Sequence, residues 1–458
     1  MPVQQNQSLY HSLRKKYPFF SFDDFKVIKS ADQLQIKYRF NLSDLHIFEP
    51  TLTIPAKSFI NFSINEDLLE NLAFHIGMVE LVSYWKAACP PKVFINPAFL
   101  DKTQVDWFKK LYFNGLGEFF YLNGITPDFD DFMTIEVRGD WDYQSVCYQP
   151  EESVLVPVGG GKDSAVTLDL VDKGGFKVLP FILNPRKASL ETSRAAGYAE
   201  QDIVVFYRTL DQELLRLNEN GFLNGHTPFS ALIAFITLLA AAMTNSSHIA
   251  LSNESSANEP TIPGTNINHQ YSKSILFEED FRSYVNQYVS QSANYFSLLR
   301  PLNELQIGKI FSGLSHQFSH FKSCNAGSKT DSWCCKCSKC LFTWIILSPF
   351  IEENMLKSIF GANLMHDESL LPIFQQLTGI ADEKPFECVG TIDEVNTALT
   401  MTIRKNRKLP LPYLLDYYSS TNNFAQFQND KQCFLLNNLE KKHFVPDQFL
   451  KILKEAVK

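Results

Sequence analysis

The sequence predicts an α/β protein: a central domain built on a parallel sheet, an α+β N-terminal domain before it and a mainly helical C-terminal portion after it. Three observations carry that expectation. From Ser153 onward, short apolar runs alternate with helix-periodic segments. The chain before it mixes aromatic-rich strand patterns with clear helices. Beyond Pro349 the pattern is helical, with polar breaks such as SSTNN. The expected segments are residues 1–148, 149–345 and 346–458.

In chain order, EDLLENLAFHIGMVELVSYWKAA (Glu66 to Ala88) has apolar residues at helical spacing and stops before Pro90-Pro91. A second helix is expected over Thr103 to Gly124. His75 reads as a core histidine. SVLVPV is a continuous apolar run, as for a strand covered on both faces, and the helix from Ser164 to Val171 closes at Gly174-Gly175. Then follow FKVLPFIL (strand), SLETSRAAGYAE (helix), DIVVFY (strand), DQELLRLNEN (helix), a long helix from Pro228 and HIALS (strand). That alternation implies right-handed crossovers and a parallel sheet with helices on both faces.

At 458 residues, with 45% hydrophobic and 20% charged residues, the chain has the composition of an ordinary globular protein of more than one domain. Its net charge of −8 argues against a broad basic face for nucleic acid. MPVQQNQSLYHSLRKKYPFF lacks the apolar core of a signal peptide, and the longest apolar run, Phe229 to Met243, is short for a bilayer and holds Ser230 and Thr237. Five of nine cysteines fall between Cys324 and Cys340, which is not a secreted disulfide framework. A cytoplasmic protein without membrane insertion is expected.

Gly159-Gly160-Gly161-Lys162-Asp163-Ser164 lies between a buried strand and a helix. There, backbone N–H groups and the positive end of the helix dipole make an anion site, and glycines let the main chain approach phosphate oxygens. It is not a Walker loop, because Val156 stands where the first glycine belongs. The dinucleotide fingerprint also fails, since Ser164 replaces its last glycine. Cys324, Cys334, Cys337 and Cys340 have a C-x9-C-x2-C-x2-C spacing that can wrap a tetrahedral Zn²⁺, with Cys335 as an extra thiol; reduced thiols in a turn are the alternative. Cys89, Cys147, Cys388 and Cys433 read as inert.

GGGKDS resembles the SGGxDS signature of the PP-loop (adenine nucleotide α-hydrolase-like) ATP pyrophosphatases, with Gly159 in place of the usual serine. The resemblance implies that Gly159, Gly160, Gly161 and Ser164 cradle the pyrophosphate of ATP, that Lys162 adds positive charge and that Asp163 helps hold Mg²⁺. HTPFSALIAFITLLAAAMTNSSHIALSNESSAN and the cysteine cluster are similar to the 7-cyano-7-deazaguanine synthases, which lack the long N-terminal domain and helical tail. Over nearly its full length, the chain looks closer to the UDP-N-acetylmuramoyl-L-alanyl-L-glutamate epimerases. LYFNGLGEFFYLNGI, VPVGGGKDSAVTL, SNESSANEP with NHQYSKS, and WCCKCSKCLFTWIILSPF carry that likeness.

The resemblance implies ATP-dependent inversion of the terminal L-Glu of UDP-MurNAc-L-Ala-L-Glu through an acyl-adenylate, with release of AMP and pyrophosphate, during peptidoglycan precursor synthesis. It also implies functional pairing with an L-glutamate-adding muramoyl-alanine ligase. Asn253 and Glu254 follow HIALS and should reach the edge of the sheet that carries the glycine loop; Glu254 would bind Mg²⁺ or act as a base. His226, His269 and Lys273 lie in polar loops and are the other catalytic candidates, with Tyr271 equally a packing residue. Arg186 and Lys187 are candidate phosphate contacts, and RKNRK at Arg404 to Lys408 is a nucleotide attractor or a solvated loop. Another adenylating PP-loop ligase, a tRNA-modifying member and a non-enzymatic nucleotide-binding module remain the alternatives.

Overall fold

The computed structural model describes residues 5–58, 64–262, 265, 267–327, 330–406, 410–428 and 431–458, with the backbone alone for 431–433. Arg407, Lys408 and the Cys433 side chain lie outside the described residues. Contacts divide the chain into two compact units. Unit 1 gathers Met1–Leu155, Val204–Ile249 and Ile267–Tyr295; unit 2 gathers Val156–Ile203, Ala250–Asn266 and Phe296–Lys458.

Unit 1 has a mixed sheet. Strand Gln33–Leu42 alternates strictly: Leu34, Ile36, Tyr38, Phe40 and Leu42 are buried while Gln33, Lys37 and Arg39 face out, the period-two signature of a sheet with one covered face. It pairs antiparallel with Phe19–Lys29, His46–Phe48 and Thr51–Pro55. Phe19–Lys29 pairs parallel with Lys92–Ile95, which pairs parallel with Thr134–Val137. The covering helix, Glu66–Trp85, is capped by Asn65, whose side chain accepts from the Leu68 N–H at 3.0 Å. Every residue from Asn71 to Trp85 is buried, so this helix is a core element rather than an amphipathic one. Gly77 makes that possible, since a Cβ there would stand 2.5 Å from the Phe22 ring. Each fully buried Leu or Phe on it stabilises the fold by about 1.5–3 kcal/mol. The helix Phe229–Thr244 packs beside it and ends at Asn245, which takes the left-handed conformation (φ 52°) of a C-terminal stop.

Two expectations are corrected here. The strand from DIVVFY, Val204–Arg208, pairs antiparallel with Thr51–Pro55 (Leu52↔Arg208, Thr53↔Tyr207), so the sheet is mixed rather than purely parallel. Its apolar run announces burial on both faces but carries no information about direction or neighbour. The helix over Thr103 to Gly124 is two helices, Lys102–Gly115 and Gly117–Leu122, interrupted at the glycine-flanked Leu116. Ser246–Leu251 does pair parallel with Glu151–Pro157.

Unit 2 starts with helix Lys162–Lys173, strand Val178–Leu183 and helix Lys187–Ala195. From Glu304 onward its regular elements among the described residues are helices, which agrees with the expectation for the chain beyond Pro349. Ser338–Leu347 is buried at its centre, packed by Glu304–Ser312, Leu371–Thr378 and Ile392–Lys405. Among the described residues, no helix is long and apolar enough to cross a membrane.

Candidate functional site

In unit 2 the glycine loop makes a tight turn into the helix that follows it. Gly160 has φ +89°, and a Cβ there would stand 2.7 Å from the backbone of Ala188 and Ser189, so only glycine fits. Gly161 is the N-cap of helix Lys162–Lys173, whose first N–H groups point out of the helix end beside it. Lys322 N–H donates to Gly160 O at 2.8 Å and sews a distant segment onto the loop. Between them lies a cavity of about 190 Å³ lined by Gly159, Gly161, Asp163, Arg186, Ala188, Lys322, Ser323, Cys324, Asn325, Asp331 and Lys339. Three cations against two carboxylates suit an anion that brings its own counter-ion.

Arg186 thus lines the cavity, whereas Lys187 faces Glu191 and Asp331 at 3.7 and 3.8 Å. Lys162 is buried, and its ammonium is bracketed by Asp163 and Glu304. Those two carboxylates hold Lys162 protonated against the burial that opposes its charge. Burial pushes Glu304 well above the carboxylate range, with Asp163, Glu254 and Glu394 adding to the rise and Lys162 opposing it. The ammonium stays fixed between the two acids that contact it. The Ser164 hydroxyl donates to Gly161 O at 3.0 Å. Glu254 is buried, and its main-chain carbonyl accepts from the buried Arg300 guanidinium. Asn253 donates to Ser297 Oγ at 3.0 Å.

The four cysteines of the spaced pattern converge. Cys324–Cys337 and Cys334–Cys340 sulfurs are 3.8 Å apart, Cys337–Cys340 3.5 Å, and all four lie within 4.8 Å of one another. Cys335 points away, its thiol toward the carbonyls of Trp333 and Phe360.

Unit 1 holds a second cluster. Glu118 meets both histidines: His226 Nδ1 is 3.2 Å from its Oε2, and His269 Nδ1 touches the same oxygen. The two rings are 4.6 Å apart, centre to centre. Burial lowers His226 to about 4, helped by the charges of His269, Lys86 and Lys273 and opposed by Glu118, so its imidazole is neutral at pH 7. Lys86 donates to Gly225 O beside His226, and burial brings it down to about 8. Tyr271 packs edge-on against Phe277. His75 is a core residue, with ring nitrogens 2.8 Å from Asn71 O and from the Tyr284 hydroxyl. His226, His269 and Lys273 therefore gather in unit 1, while Glu254 and the glycine loop belong to unit 2.

Sequence reasoning missed Glu118, Lys86, Lys322 and Glu304. Glu118 offered one signal, a lone acid inside the apolar stretch LGEFFYL, and Lys322 another, as the cation two residues before Cys324.

Residues 11–298 match the family described as MurL N-terminal domain, and residues 320–432 match MurL C-terminal domain. Three curated proteins named UDP-N-acetyl-alpha-D-muramoyl-L-alanyl-L-glutamate epimerase are similar to the chain. That of Xanthomonas oryzae pv. oryzae (strain MAFF 311018) is 32% identical over 363 residues, 77% of this chain and 78% of the relative. That of Micromonospora sp. (strain ATCC 39149 / NRRL 15099 / SCC 1413) is 32% identical over 344 residues, 72% and 74% of the two. That of Salinispora tropica (strain ATCC BAA-916 / DSM 44818 / JCM 13857 / NBRC 105044 / CNB-440) is 33% identical over 329 residues, 70% of each.

Proposed function

This chain belongs to the MurL family, and from that membership we propose that it inverts the terminal L-Glu of UDP-MurNAc-L-Ala-L-Glu to D-Glu at the expense of ATP. The relatives' names supply the substrate. The observation that carries the chemistry is the Glu118–His226–His269 cluster, a neutral imidazole held by a carboxylate and a second imidazole.

An α-hydrogen beside an ionised carboxylate resists removal, because the carbanion would form on a group already negative. Activation of that carboxylate as its acyl-adenylate cancels the charge and turns the carbonyl into an electron sink. We assign this step, with release of pyrophosphate and later AMP, to the glycine-loop cavity of a PP-loop-type unit 2. Gly159, Gly160 and Gly161 offer main-chain contacts there, and Arg186, Lys322 and Lys339 bring positive charge to the phosphates. Mg²⁺ arriving with ATP would be held by Asp163, a cavity-lining carboxylate, and would neutralise phosphate charge.

His226 then serves as base, with Glu118 and His269 orienting it and taking up positive charge. Inversion further requires that a proton be returned to the α-carbon on the face opposite the one from which His226 removes it. Lys86, poised near 8, and Lys273 bring cations to that cluster, where they favour an anionic substrate. A substrate joined to UDP and a need for ATP place the reaction in the cytoplasm, downstream of a ligase that adds L-Glu to the muramoyl-alanine precursor.

Incubation with ATP, Mg²⁺ and UDP-MurNAc-L-Ala-L-Glu in deuterated water tests the reading. The expected products are AMP, pyrophosphate and, after acid hydrolysis, D-Glu carrying deuterium at its α-carbon. L-Glu recovered with its α-hydrogen intact would sink it.

A further inference from the structure

The function proposed above leaves the cysteine cluster unused, yet the cluster is joined to the cavity. Cys324 lines the cavity itself, between Ser323 and Asn325, which also line it; Cys340 follows Lys339, which does too. From Phe318 to Cys337 the described residues include no helix or strand. A stretch of that length without regular structure needs some other restraint to keep one shape.

The sulfurs have the geometry of a metal site. With Zn–S bonds of about 2.3 Å, a tetrahedron has edges of about 3.8 Å. The separations across the cluster are 3.8, 3.8 and 3.5 Å. They are well beyond the ~2.05 Å of a disulfide. Backbone N–H groups already point at the sulfurs: Gly327 N–H donates to Cys324 Sγ at 3.1 Å, Cys334 N–H to Cys324 Sγ at 3.4 Å and Lys336 N–H to Cys334 Sγ at 3.5 Å. Such donors stabilise thiolates. Cys335 takes a left-handed conformation, φ +54°, which residues with a side chain seldom adopt. The turn there sends Cys335 away while its neighbours Cys334 and Cys337 face one point.

We propose that Cys324, Cys334, Cys337 and Cys340 bind one Zn²⁺, and that this ion fixes the Lys322–Asn325 wall of the anion cavity against the glycine loop. The path is short. The metal holds Cys324, whose preceding residues supply the Lys322 N–H bond to Gly160 O and the Ser323 side chain that a Cβ on Gly161 would meet at 2.9 Å. Loss of the ion frees the wall and weakens phosphate binding. The second half of this inference rests on the phosphate reading of the cavity; the first half does not.

The test uses the full chain purified under reducing conditions. Metal analysis should give one zinc per chain, and Cys334→Ser, which does not line the cavity, should lower it. Hydrogen exchange is then compared between the zinc-loaded protein and protein stripped with a chelator, without nucleotide. Exchange should rise by tenfold or more at residues 319–327 and 159–162. Helix Glu66–Trp85 in unit 1 should keep its protection, which controls for general unfolding. ATP affinity should fall at least tenfold on stripping and return when Zn²⁺ is restored. Sub-stoichiometric zinc, or disulfides among the four, overturns the metal site. Zinc present with unchanged exchange at 159–162 overturns the coupling. Zinc present, exchange coupled as expected and no ATP or pyrophosphate binding supports the structural link but overturns the phosphate reading.

Discussion

Two buried charge clusters, one in each unit, are inverted copies of a single device. In unit 2 one cation, Lys162, sits between two acids, Asp163 and Glu304; in unit 1 one acid, Glu118, sits between two imidazoles, His226 and His269. Lys162, Glu304 and Glu118 are buried, and burial works against charge in both clusters. The outcomes differ because of what faces each buried group. Lys162 has two carboxylates against its ammonium and stays protonated through the working pH range. For His226 burial dominates, and the charges of His269, Lys86 and Lys273 outweigh Glu118, so its ring is neutral. A locked charge suits a scaffold beneath the glycine loop. A neutral ring suits proton transfer.

The largest expected effect separates the two roles. His226→Asn should slow deuterium incorporation at the substrate α-carbon by about 10²–10⁴-fold. Exchange of labelled pyrophosphate into ATP, which reports activation alone, should stay within about threefold of the original protein. Equal loss of both would erase the division between the units. Next comes the scaffold. Lys162→Met leaves Glu304 buried without its counter-ion and should cost about 3–5 kcal/mol in urea unfolding, most of it recovered when Glu304→Leu is added. A single variant as stable as the original would show that the ion pair holds nothing.

The third contrast is in pH. His226 falls from an ordinary value near 6.5 to about 4 in the fold. Between those values the unfolded chain binds the extra proton, so the stabilisation is complete above pH 6.5 and lost as pH falls through 4. The gap is about 3 kcal/mol. His75 shifts the same way, so the measurement is the difference between the original protein and His226→Asn. Their stability curves should converge with acidification; parallel curves from pH 7 to 4 would contradict a neutral His226. The smallest effect concerns Gly159, around which a Cβ would meet nothing within 4 Å. Gly159→Ser should fit freely and lower the KM for ATP by about two- to fivefold through an added hydroxyl donor. A KM raised tenfold would argue that this residue does not face the phosphates.

Legibility in the sequence followed the range of the forces involved. Helix Glu66–Trp85 and helix Lys162–Lys173 could be read because caps, glycine stops and apolar spacing act over a few residues. The cysteine cluster could be read for the same reason, since three of its four thiols fall within seven residues, Cys334 to Cys340. Strand Val204–Arg208 could not be assigned its neighbour, because Thr51–Pro55 lies far back in the chain and an apolar run accepts either direction. Glu118 stayed hidden among apolar residues until folding brought two histidine loops to it.

By itself, then, the sequence determined the local parts: which stretches are helices, where the backbone must be glycine and which side chains can do chemistry. Tertiary structure decided the company those side chains keep. It set Lys162 against Glu304, took Lys322 to the glycine loop and brought His226 beside Glu118. The reason is physical: propensity and capping are settled by neighbours in the chain, whereas protonation and ion pairing depend on desolvation and on charges that only the folded chain brings within a few ångströms.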